Sequence, residues 1–120
     1  MYKFSLKQIT VLLALVASET VAQSFINNGI SSQFKFLSKN NSIIAGLIGY
    51  TIVGFLYYKL IKVIKDDDSG SNALNIGNSI WNAGTQITIA LVSLLVFGEN
   101  MSARNWMGTG FMVLGLLLVL

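Results

Sequence analysis

Hydrophobic residues along the chain fall into four runs, each close to the length of a helix that crosses a lipid bilayer. A hydrocarbon core of about 30 Å needs about 20 mostly apolar residues in a helix. The runs extend over residues 8–27, 42–64, 76–97 and 103–120. This pattern predicts four transmembrane helices, of which the last, at roughly 27 Å, barely spans the core.

The ends of the runs carry stop and interface signals. Asn28-Gly29 follows the first run and predicts the end of that helix, because glycine readily adopts the left-handed conformation that terminates helices. The second run ends among Lys59, Lys62 and Lys65, whose long stems can reach the interface. The connections are short and polar, which predicts antiparallel neighbours in one domain over residues 1–120.

Composition favours a membrane protein and excludes several kinds of chemistry. Hydrophobic residues make up 53% of the chain and charged residues 11%, which is a membrane-type composition. The chain has no His and no Cys, so disulfides, thiolate or imidazole metal sites and catalysis by these residues are excluded. No acid/base pair is evident either. We therefore expect an all-α integral membrane protein that is not an enzyme and holds no metal or cofactor.

The positive charges are few and dispersed. A net charge of +3 does not predict nucleic-acid binding, and anionic lipid headgroups are the expected acidic neighbours. Five basic residues flank one face and three the other, which weakly favours cytoplasmic termini. The two sets are Lys3, Lys7, Lys59, Lys62 and Lys65, and Lys35, Lys39 and Arg104. The N-terminal lysines and the apolar stretch after them also fit a cleavable signal peptide, although we favour a retained first helix.

Glu19 lies near the middle of the first run, where an ionised carboxylate costs about 2.5 to 3.5 kcal/mol on insertion scales. A low dielectric disfavours the charged form of a carboxyl group, so Glu19 is a candidate for exchanging a proton for a cation. Gln23 lies one helical turn further on the same face. The alternative is a protonated Glu19 that hydrogen-bonds to a neighbouring helix.

Other helices offer residues that suit the same site. Tyr50 lies within the second run, and Asn78 and Trp81 lie in the polar first half of the third. Trp81 can stack on an organic cation, which contributes up to about 2 kcal/mol when the pair is desolvated, or can serve as an interfacial anchor. Gly108 and Gly115 share one face of the fourth run and would permit close contact between helices.

Four segments, taken together, resemble the small multidrug resistance family of the EamA-like drug/metabolite transporter superfamily. They are LVASETVAQ, LIGYTIVGF, NSIWNAG and VFGENMSARNWMGTGFMVLGLLLVL, and the resemblance covers nearly the whole chain. In that family the glutamate of the first helix binds protons and substrate alternately, and two copies pack antiparallel. The resemblance implies these roles for Glu19, with Tyr50 and Trp81 lining the cavity and Gly108 and Gly115 packing the dimer.

The chain departs from the family pattern at several positions. Asn27 stands where the family has a lysine, and Asn78 stands where it has a cavity tyrosine. Ala22 replaces the tryptophan of the guanidinium-exporting branch, and an acidic loop replaces the Pro-Thr-Gly turn before the third helix. These departures leave the substrate open.

Two functions follow from the sequence. The first is a proton-coupled antiporter that exports small cationic organic compounds as a homodimer in a membrane. The alternative is a non-transporting structural or assembly protein that retains the transporter fold, since a fold does not fix a function.

Overall fold

The protein is built of four α-helices in a computed structural model that describes residues 2–68 and 72–120. The helices are α1 (Leu6–Ser31), α2 (Lys39–Asp67), α3 (Ala73–Leu95) and α4 (Ala103–Val119). They correspond in number and order to the four apolar runs, so the all-α prediction is confirmed. By length and composition, α1 and α2 can cross a membrane, while α4 is apolar but has 17 residues. α3 is not apolar enough to be counted with α1 and α2, because its first half is polar.

Serine residues fix where three of the helices begin. Ser5 Oγ accepts from Gln8 N at 3.2 Å, and Gln8 Oε1 accepts from Ser5 N at 3.2 Å. Ser38 and Ser102 cap α2 and α4 in the same way through their hydroxyl oxygens. These caps satisfy backbone N–H groups that a helix start leaves unpaired. As a result, α1 and α2 begin before their apolar runs do.

The predicted stop at Asn28-Gly29 is wrong. α1 continues through both residues to Ser31, and Ser32, with φ 54°, adopts the left-handed conformation instead. Gly29 serves a different purpose, because a Cβ there would lie 2.5 Å from Ile43 Cγ1 on α2. The glycine allows two helices to approach rather than ending one.

Tyr2, Leu120, the end of α2 and the start of α3 lie at one end of the bundle, which we call the terminal end. There Tyr2 N donates to Leu120 O at 2.6 Å, and Gln8 Nε2 donates to Asp67 Oδ2 at 2.6 Å. The connections over residues 32–38 and 96–102 lie at the opposite end, which we call the loop end. α3 packs against the other three helices, whereas α4 packs only against α3 in the described part of the chain.

The buried core lies mainly in the half of the bundle near the terminal end. One cluster of buried apolar residues in it consists of Leu15, Val53, Leu60, Ile64, Ala73 and Ile76. Large apolar side chains elsewhere are exposed, among them Phe55, Phe111 and Leu118, of which Leu118 is 90% exposed. Contiguous exposed apolar surface of this kind is typical of chains covered by lipid or by a partner.

α1 and α2 approach closely along a seam of small residues. A Cβ added at Gly46 would lie 2.4 Å from Ile26 Cγ1, and one at Gly49 would lie 2.8 Å from Ala22 Cβ. Small residues allow helix backbones this near to each other inside a membrane. The seam was not predicted from the sequence, where the glycines of the fourth run were the ones expected to permit close helix contact.

Asn28 joins α1, α2 and the connection between them. Its Nδ2 donates to Ser42 Oγ at 3.0 Å, and its Oδ1 accepts from Phe34 N at 2.8 Å. Asn28 is 3% exposed and Ser42 is fully buried. Removal of the Asn28 amide would therefore leave Ser42 Oγ and Phe34 N without this hydrogen-bond partner.

Asn28→Ala is expected to lower the free energy of unfolding by about 1 to 3 kcal/mol, because buried polar groups lose their partner. Unfolding of the purified protein by SDS in mixed micelles, followed by circular dichroism, measures the change. Asn40→Ala, at an exposed position early in α2, is the control and should change it by less than about 0.5 kcal/mol. Equal stability of the two variants would contradict the role of Asn28.

Candidate functional site

The second half of α1 carries two adjacent rows of polar side chains, which we call the polar stripe. Residues four apart on a helix lie on one face, and each row repeats at that spacing. The stripe runs about 12 Å, from the middle of the helix to the loop end. Its members are Glu19, Gln23 and Asn27 in one row, and Thr20, Ser24 and Asn28 in the other.

Glu19 lies at the inner end of this stripe, near the middle of the 26-residue α1. Thr85 Oγ1 on α3 donates to Glu19 Oε2 at 3.1 Å, and Gln23 Nε2 donates to Glu19 Oε1 at 3.1 Å. Each carboxyl oxygen thus has one side-chain donor. Thr85 was not among the residues singled out from the sequence, and only its place one turn after Trp81 points to it.

A second contact holds α1 against α3 beside this carboxyl group. The hydroxyl oxygens of Thr20 and Thr88 lie 2.6 Å apart. Gly84 lets α3 approach here, because a Cβ at that position would lie 3.0 Å from Val16 Cγ2. Glu19 therefore lies in a close helix–helix contact.

The structure brings Tyr50 to the same group from α2. Its phenol lies near the side chains of Glu19 and Gln23. Three of the residues selected from the sequence, Glu19, Gln23 and Tyr50, are thus neighbours. They are contributed by two helices, and Thr85 adds a third.

Trp81 lies one turn nearer the terminal end than Thr85 and packs against the buried core. Its ring centroid lies 4.6 Å from that of Tyr57, with the planes tilted by 36°. The indole Nε1 is buried and has no hydrogen-bond partner in the described part of the chain. Trp81 thus lies on the terminal-end side of Thr85, against the buried core.

The remaining selected residues lie apart from this group. Asn78 is exposed on α3, about two turns from Thr85. Gly108 and Gly115 lie on exposed positions of α4, and a Cβ at either would meet nothing within 4 Å. Within a single copy, these glycines are not used for packing.

A cleft lies between α1 and α3 on the loop side of Glu19, and we call it the polar cleft because five of its eight lining residues are polar. It has a volume of about 180 Å³ and opens beside Glu99. Gln23, Asn27 and Ser93 supply polar groups to its walls. Gln23 therefore lies at the inner end of the cleft, and its amide also donates to Glu19.

An apolar cleft of about 400 Å³ adjoins the polar one, with Ser24, Val92 and Phe97 lining both. Three of its seven other lining residues are phenylalanines. The ring centroids of Phe34 and Phe97 lie 5.6 Å apart, and those of Phe25 and Phe36 lie 6.3 Å apart. The loop end thus offers polar and aromatic surface side by side.

The polar halves of α1 and α3 lie toward opposite ends of the bundle, although the two helices run in the same direction. In α1 the polar half lies toward the loop end, whereas in α3 it lies toward the terminal end. The two polar halves overlap only near the middle of the bundle, where Glu19 meets Thr85.

The described residues include no group of three or more acidic side chains placed to hold a metal ion. What the site offers is one carboxyl group with a hydroxyl donor and an amide donor, beside a polar cleft. No protein-family model, curated protein or solved structure matches this chain.

Proposed function

We propose that the protein is a multi-pass membrane transporter that exchanges protons for small cationic organic compounds, as the small multidrug resistance family does. One observation carries the proposal: the Glu19 carboxyl group lies mid-helix in an apolar α1, with a donor on each oxygen. Ionisable residues at such depth are costly, and they commonly mark ion or substrate pathways.

The geometry supports competition between two ligands for one carboxyl group. Thr85 and Gln23 donate to Glu19 without adding charge, so the carboxylate is neutralised only by a proton or by a bound cation. A proton and a cation therefore compete for the site. Exchange follows if the Glu19 site can turn from one side of the membrane to the other only when a proton or a cation occupies it, and not when the carboxylate is empty and charged.

A second copy of the chain is part of this proposal. The open glycine face of α4, with Gly108 and Gly115, offers a surface on which a partner helix can approach closely. Such a dimer would place two Glu19 carboxyl groups in one assembly. Lipid would cover the remaining exposed apolar faces.

A specific observation also favours the second candidate function, a structural or assembly protein without transport. Both Glu19 oxygens are satisfied inside a single copy, so Glu19 can serve to join α1 to α3. In that case a protonated Glu19, or a glutamine in its place, would perform the same role.

Addition of tetraphenylphosphonium to the purified protein in weakly buffered detergent solution near pH 7 is expected to release protons. Glu19→Gln should abolish the release, because an amide carries no exchangeable acid proton. A pH-sensitive dye or electrode measures the protons released per chain. Asp66→Asn, at an exposed position near the end of α2, is the matched control and should release as many protons as the wild type.

Size-exclusion profiles of the three proteins show whether each remains folded. Release by Glu19→Gln equal to that of the wild type would contradict a shared site. Absence of release from the wild type with this and other organic cations would favour the structural candidate, which predicts copurification with a larger assembly.

A further inference from the structure

The polar cleft between α1 and α3 extends from the loop end of the bundle to Gln23, whose amide contacts Glu19. Its inner residue Gln23 donates to Glu19 Oε1, and its outer residue Glu99 is exposed at the mouth. Asn27 and Ser93 line the walls between them. A volume of about 180 Å³ has room for several water molecules, each of which occupies about 30 Å³ in the liquid.

Glu99 is held at the mouth by two hydrogen bonds to the same residue. Its backbone N donates to Ser93 O at 2.9 Å, and its Oε2 accepts a short hydrogen bond from Ser93 Oγ. Ser93 therefore positions the Glu99 carboxyl group beside the cleft. A freely moving surface glutamate would spread its charge over a larger volume.

Glu99 is the one charged side chain that lines this cleft in the described part of the chain, since the others are polar or apolar. A fixed negative charge at the entrance of a cleft raises the local concentration of cations and lowers that of anions. Lys35, Lys39 and Arg104 also lie toward the loop end but do not line the cleft, so the charge on its walls is negative.

The opposite side of Glu19 has a different character. Toward the terminal end lies the buried core, where Leu15 and Leu60 are fully buried. Trp81 packs against the cluster to which they belong. Glu19 thus has the polar residues of the cleft toward the loop end and the buried apolar cluster toward the terminal end.

We propose that this cleft is a cation-selective access path from the loop end to Glu19, with Glu99 as the residue that selects cations. The role of the path in exchange rests on the proposed antiport. The path itself is a property of the fold, so it can be tested without transport.

The absence of native cysteine makes a thiol-labelling test direct. Asn27→Cys and Ser24→Cys place reporters in the cleft, and Ile44→Cys places a control at similar depth on an apolar, 53% exposed part of α2. Each purified variant is treated at low salt with a trimethylammonium or a sulfonate methanethiosulfonate reagent. Rates are divided by those of the same reagents with a free small thiol.

Both cleft variants are expected to react at least tenfold faster than Ile44→Cys, because only a hydrated thiol ionises readily. At the cleft reporters, the cationic reagent should be favoured over the anionic one by about sevenfold, as expected for a unit charge about 7 Å away through water. Adding Glu99→Gln should reduce this preference to near one, and Glu19→Gln should leave most of it.

Reaction of both cleft reporters as slow as that of Ile44→Cys would overturn the path, and a preference unchanged by Glu99→Gln would overturn the role of Glu99. Slow labelling with normal proton release would reject this inference alone. Fast, selective labelling without proton release would instead reject the antiport and leave the path in place.

Discussion

Gly46→Leu is expected to cause the largest loss of stability of any substitution considered, about 3 kcal/mol or more. The added Cβ alone would lie 2.4 Å from Ile26 Cγ1 and 3.0 Å from the backbone oxygen of Ala22. A backbone atom cannot move aside as a flexible side chain can. α1 and α2 would therefore have to separate, and the contacts of the whole seam would weaken.

Gly54→Leu is the matched control for this substitution. Gly54 lies on the same helix, is exposed, and a Cβ there would meet nothing within 4 Å. Since leucine favours the helix more than glycine does, we expect equal or slightly higher stability. The free energy of unfolding in mixed SDS micelles distinguishes the two variants. Values within about 0.5 kcal/mol of each other would show that α1 and α2 do not meet at Gly46.

Nearly complete intramolecular cross-linking is expected when Thr20→Cys and Thr88→Cys are combined and oxidised with copper phenanthroline. The two hydroxyl oxygens lie 2.6 Å apart, so the sulfur atoms that replace them would lie within reach of a disulfide. The chain has no other cysteine to compete. Loss of both thiols to a maleimide-polyethylene glycol reagent, reversed by reduction, measures the cross-link as a gel shift.

Thr20→Cys combined with Thr109→Cys is the control pair. Thr109 is on α4, which does not pack against α1, so this pair should keep its free thiols or form only products of twice the mass. Failure of the first pair to cross-link would contradict the placement of α3 beside α1. It would also contradict the α1–α3 contact that brings Thr85 to Glu19.

The number and order of the helices were predictable, because an apolar run of about 20 residues constrains a helix regardless of its neighbours. The helix ends were less predictable. Ser5 and Ser38 extend α1 and α2 beyond their apolar runs by capping, and Gly29 continues α1 where a stop was expected. The same residue type serves as a stop or as a contact, and only the neighbouring helix decides between them.

The site was partly predictable. A mid-helix carboxylate stands out in an apolar run, so Glu19 was identified, and Gln23 followed from its helical spacing. Thr85 was missed, because helical periodicity defines the face of a helix but not the helix that packs against it. The grouping of Tyr50 with Glu19 and the exposure of Asn78 likewise depend on how α2 and α3 are rotated in the bundle.

The one-sided polar stripe of α1 has an electrical consequence. In a bilayer, the transmembrane potential falls across material of low dielectric, and a hydrated cleft from the loop end to Glu19 would carry little of that fall. Most of it would then lie across the apolar core between Glu19 and the terminal end. A full transit of the potential corresponds to about 2.3 kcal/mol per charge at 100 mV. Most of this energy would therefore act on a charge as it passes between Glu19 and the terminal side, and exchange at this site would be voltage-sensitive whenever the two ligands carry different charge.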